Sequence, residues 1–175
     1  MSWSSIRSGS RARTSVTLLL IAAIAGLVTG PVETQAPIDV YELADYRLTT
    51  EVFERFVHAS GRIADIVQHD PSFTYAPLFT KDVALSGDAV AEAAGLVARL
   101  EHHAGLAAAL EAATLTPREY SKFAITLIAA HLAHGFLKAG VLQRVPSGAP
   151  TINVEFVKTH ESDVTAALAS LGIRD

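Results

Sequence analysis

The chain has 175 residues, with 18 acidic and 14 basic groups for a formal net charge of −4, half of its residues hydrophobic, and no cysteine. Basic residues scattered singly among acids exclude a nucleic-acid or anionic-lipid surface, since both demand clustered Lys and Arg. The missing cysteines exclude disulfides, thiolate zinc sites, c-type haem attachment and a thiol nucleophile.

Arg7, Arg11 and Arg13 come first, with no acid among them. An apolar run over 16–28 follows, and then a small-residue stretch ending Thr34-Gln35-Ala36. A basic front, a short apolar core and a small-x-small cleavage site are the three parts of a secretory signal. The apolar core of 13 residues falls short of the ~20 a spanning helix needs, which favours removal after Ala36 over retention as an anchor. No Cys adjoins the cut and no Arg-Arg pair precedes it, so neither a lipid anchor nor the twin-arginine route is indicated. The expected organisation is a signal peptide over 1–36, a lead-in over 37–50 and a helical domain over 51–175. The protein is then exported, to a periplasm or the extracellular space, and touches membrane only through an uncleaved leader. Removal of the leader takes away three basic groups and one acidic group, leaving 139 residues with a net charge of −6. A chain of that length buries roughly 65–70% of its unfolded surface and needs no covalent staple.

After the polar and aromatic stretch 39–47, apolar residues at Val52, Phe53, Phe56, Val57, Ser60, Ile63, Ala64 and Val67 give the three-and-four spacing of a buried helical face. Thr49 or Thr50 caps this helix, and Gly61 within it marks a close helix approach. Residues 70–77, with Pro71, Phe73, Tyr75 and Pro77, read as an ordered crossing segment. Ser86-Gly87-Asp88 launches an Ala-rich helix to about His103, with Gly105 as its left-handed closing residue, and a short helix over 106–113 follows.

Thr116-Pro117-Arg118-Glu119 is a capping box with proline in the first helical slot. The helix it starts, over 120–138, is apolar almost all round and so takes a central position. Its uncharged stretch of 15 residues is too short for a span. A loop over 140–150 precedes one last helix that starts at Thr151 or Asn153, buries Val157, Val164, Leu168 and Leu171, and ends before Gly172. The fold expected is all-α: a single-domain bundle of four main helices plus one or two short ones.

Seven histidines are the place to look for chemistry. His131 and His134 lie one turn apart on the central helix, the spacing with which two imidazoles meet one metal. Loss of the initiator leaves no Met for a His/Met haem, and no paired Glu-x-x-His units mark a di-iron bundle. A bis-His haem would pair His131 with His58 or His160. Glu54 and His58 read as an intrahelical contact, His69, His102 and His103 as complements to helix ends, and His160-Glu161 as a surface pair. No nucleophile elbow, phosphate-cradling loop or close carboxylate pair appears, so catalysis is the lesser reading.

Two functions follow. The preferred one is a non-catalytic binding module, without cofactor, for a protein partner or a small apolar ligand, with Phe73, Tyr75, Phe79, Tyr120 and Phe123 as groove residues and self-association through the Ala- and Gly-rich helix as one form. The alternative is a metal or bis-His haem bundle centred on His131 and His134.

Overall fold

A computed structural model describes residues 38–74, 88–146 and 149–173, and among these it is all-α, with seven α-helices and one 3-10 turn. The expected leader and the aromatic residues Tyr75 and Phe79 lie outside the described residues. Part of the lead-in is itself a short helix, α1 (Val40–Ala44), capped by Asp39, whose carboxylate accepts the Glu42 amide at 2.7 Å. It holds Ile38 in a small cluster with Ala93 and Ile125.

Helix α2 (Thr50–His69) starts at the expected cap: Thr49 Oγ1 accepts the Val52 amide at 3.4 Å. Phe53, Phe56, Ala59, Ser60 and Ile63 form its buried face, while Val57 stays exposed. Gly61 is also exposed and a Cβ there would meet nothing within 4 Å. It does not serve a close helix approach, because it lies one residue off the buried stripe and each residue turns the helix about 100°. After a 3-10 turn at Pro71–Thr74, helix α3 (Ala89–His102) is capped by Asp88.

His103 then takes an extended conformation and its ring caps α4 (Ala104–Ala112), Nδ1 accepting the Leu106 amide at 3.3 Å. The expected closing glycine, Gly105, instead lies in the first turn of α4. Thr116 Oγ1 accepts the Glu119 amide at 3.1 Å to open α5 (Pro117–Lys138), the threonine half of the expected capping box, while the Glu119 carboxylate lies 3.9 Å from Arg55. This helix buries residues on every side and packs against α2, α3, α4 and α6. The single helix expected at the end is two, α6 (Thr151–Thr159) and α7 (Glu161–Ser170), broken at His160. His160 Nδ1 bonds to Phe156 O at 2.9 Å and its ring stacks on Phe156 at 4.3 Å. With that break both Val157 and Val164 reach full burial.

The core is built on an aromatic seam between α2 and α5. The Phe56 ring lies 4.9 Å from Tyr120 and 5.0 Å from Phe123, and Phe53 bridges Phe123 to Phe156 on α6. The Tyr120 hydroxyl finds its partner in buried Ser60 Oγ at 3.0 Å. Asn153, a candidate cap by sequence, is buried instead and ties α6 to the segment before α2. Its Oδ1 accepts the Leu48 amide at 3.0 Å and its Nδ2 donates to the Tyr46 carbonyl at 2.9 Å.

Asn153→Ala strands both backbone groups, and at about 1–3 kcal/mol per buried unsatisfied group the expected loss is about 2–4 kcal/mol in urea unfolding. A loss under about 0.5 kcal/mol would show that water replaces the amide.

Candidate functional site

The two histidines singled out on α5 have different surroundings. His134 is nearly buried, with Nε2 shielded from solvent and 3.7 Å from Glu161 Oε2 at the start of α7. Lys138 Nζ holds the other oxygen of that carboxylate at 2.5 Å. The Lys138 hydrogen bond first, with His134 adding to it, keeps the Glu161 carboxyl below the usual range. His131 is half-buried one turn earlier, and among the described residues no group of three His, Asp or Glu gathers as a metal set. His160-Glu161 is thus more than a surface pair, since each residue is engaged with a different helix or ring.

The other histidines act mainly on backbone. His69 and His102 bond through Nδ1 to the carbonyls of Asp65 and Ala98, at 2.7 and 2.6 Å, as expected near helix C-termini. His58 and Glu54 are both exposed on α2. His103 departs from the expectation, because it caps the following helix and does not complement the preceding one.

Of the proposed groove aromatics, Phe73, Tyr120 and Phe123 fall within the described residues. Tyr120 and Phe123 are fully buried, stacked against Phe56, and present nothing to a ligand. Apolar burial on all sides of α5 makes them core residues, and burial raises the Tyr120 phenol above its ordinary pKa. Phe73 is half-buried, its ring 5.1 Å from that of His103.

Two polar constellations were not anticipated from sequence. At the α2 end, Asp70 Oδ2 accepts from His103 Nε2 at 2.9 Å and Oδ1 accepts the Ser72 amide at 2.9 Å. That leaves His103 as the Nε2–H tautomer, donating on one side and accepting the Leu106 amide on the other. The hydrogen bond from His103, then those from Ser72, hold the Asp70 carboxyl at about 2. At α1, Glu42 takes both Arg118 and Lys122 from α5, and Lys122 Nζ sits 5.4 Å from the centre of the Tyr46 ring. Glu42, Tyr46 and Lys122 border an open depression of about 470 Å³ with Asp39, Tyr41, Asp45 and Arg47. Burial pushes the Tyr46 phenol up to about 12, so it stays neutral there. The Asp70-Pro71-Ser72 turn was a readable signal for the first constellation; no local signal joins Glu42 to Arg118.

Comparison of the chain with protein families, curated proteins and solved structures finds no match.

Asp70 has a folded pKa below its unfolded value of about 3.9, so its contribution is present above about pH 4 and is lost as pH falls toward 2. The stability gap between wild type and Asp70→Asn should be flat from pH 5 to 7 and close between about pH 4 and 2. A gap that persists unchanged at pH 2 would separate Asp70 from this linkage.

Proposed function

We propose that this is a small exported module, a bundle of four main helices in its sequence pattern, that binds a partner and does not catalyse a reaction. The target is another protein, a second copy included, or a small apolar ligand. The observation that carries the reading is the apolar surface left in water along one stretch of chain. Phe136 near the end of α5, Val141 just after it and Ile152 at the start of α6 are 41%, 69% and 58% exposed. Large apolar side chains kept at a surface serve contact when they gather, and the nearby charges Lys138 and Glu161 are already committed to each other. Export is supported by the three-part leader alone.

A second reading keeps the metal or haem bundle, because His134 Nε2 is shielded from solvent, makes no hydrogen bond and faces a carboxylate from another helix. Neutral imidazole with a carboxylate in reach is a metal-ligating pair.

Protein recovered from an exporting bacterial host should have the mass of a chain starting at Pro37. Replacing Phe136 and Ile152 together by Ser should abolish a saturable thermal upshift given by apolar small molecules, or a dimer mass in light scattering, with helical content unchanged. Binding that survives the double replacement removes this surface from the reading. A Soret band, or about one metal per chain lost in His134→Ala, would give precedence to the second reading.

A further inference from the structure

We infer that His103 is a pH-operated cap: as a neutral imidazole it holds the first turn of α4 closed, and when protonated it releases that turn while keeping its hold on Asp70. This goes beyond the binding role proposed above and does not depend on it. A backbone amide only donates, so the Nδ1 that accepts the Leu106 amide at 3.3 Å carries no proton. An ionised carboxylate only accepts, so Nε2, 2.9 Å from Asp70 Oδ2, carries the one proton of the neutral ring. A second proton, which an imidazole takes up on mild acidification, goes to Nδ1, the atom that makes the cap. The imidazolium then sets an N–H against the Leu106 N–H, and the cap is lost. The Nε2–H still donates to Asp70, so the tie to the end of α2 stays.

His69, His102 and His160 use the same atom the other way. Their Nδ1 atoms bond to the carbonyls of Asp65, Ala98 and Phe156, each four residues back, at 2.7, 2.6 and 2.9 Å. A carbonyl only accepts, so these rings already carry a proton on Nδ1, and a second one on Nε2 leaves the bonds intact. His160 is the nearest parallel, since like His103 it ends one helix and begins the next, with φ of −112° against −110°. It turns back to Phe156, gives α7 no side-chain cap, and has ψ of 26° where His103 has 108°. The two joints differ together in where Nδ1 points and in the angle at which the next helix leaves.

The seat of the His103 ring is tight. The Phe73 ring lies 5.1 Å from it, and a Cβ on Gly105 would come within 3.2 Å of its Cε1 and 3.3 Å of its Nδ1. Asp70 pairs with the ring from the end of α2, where Asp65 and His69 are exposed. On α3, Glu101 and His102 are exposed, and Arg99 turns Nη1 back toward Gly95. The 3-10 turn has no charged residue, and α4 has none before Glu111. The first turn of α4 therefore holds no carboxylate to offset a positive ring at the positive end of that helix. Leu106 is fully buried, so its uncapped amide meets water only when the turn opens.

Amide exchange and long-range proton–nitrogen spectra of the imidazoles, taken on the mature protein between about pH 7.5 and 4.5, test this; the Asp70 carboxyl, held at about 2, stays ionised throughout. At the upper end His103 should show a bare Nδ1 and a protonated Nε2. As Nδ1 gains its proton, the protection factor of the Leu106 amide should fall about threefold or more, the effect of one lost cap. The Glu119 amide, capped by a threonine hydroxyl that does not titrate, should keep its protection. His103→Asn supplies a cap without a proton to gain, so it should retain Leu106 protection at the upper end and show no step below it, whereas His103→Ala should show low protection throughout. A ring already protonated on Nδ1 at the upper end, or one that stays singly protonated at the lower end, would overturn the inference. So would Leu106 protection that ignores the second proton, or a step that survives in His103→Asn.

Discussion

Phe123 is the residue on which the described fold turns. Its ring meets Phe53 and Phe56 from α2 and the edge of Tyr46 from the segment before α2, all from the second turn of the central helix. In a chain without disulfides, helix-to-helix cohesion has to come from buried apolar area, and each aromatic contributes about 150–250 Å² of it. Offset and edge-on ring pairs add about 0.5–1.5 kcal/mol beyond that area. Phe123 enters several such pairs at once, so α2, α5 and α6 are positioned by one shared cluster. The Tyr120 hydroxyl, brought inside with this seam, is matched by Ser60 across the same interface. An apolar neighbour in place of Ser60 would leave that hydroxyl stranded.

Polar groups surround the seam as ties between elements distant in sequence. Asn153 joins α6 to the backbone before α2, Glu42 joins α1 to α5, Arg55 joins α2 to the Thr114 carbonyl after α4, and Glu161 joins α7 to α5. Thr114 shows why such a tie is needed. Its φ of +54° is uncommon for a β-branched residue, and the Arg55 guanidinium donates to its carbonyl at 3.2 Å. A surface pair within one helix, such as Lys158 with Glu155 in α6, carries little energy. The half-buried ties, such as Glu42 with Arg118 and Lys122, matter more, because removing one partner leaves a poorly solvated charge behind.

What the sequence discloses follows from how local each cause is. Thr49 and Thr116 cap where the side chain needs only its own next residues, so both starts are readable, and so is the all-round apolar pattern of α5. The closing residue Gly172 is equally local, at φ +81°. His160 is different: it breaks the last helix because its ring stacks on Phe156 beside Phe53, a residue more than a hundred positions earlier. His103 likewise prefers the Leu106 amide and Asp70 over the end of its own helix, and Asp70 is 33 positions away. Tyr120 and Phe123 illustrate the same limit for function. Aromatic character alone does not separate a groove wall from a core residue, and only the partners on α2 decide it.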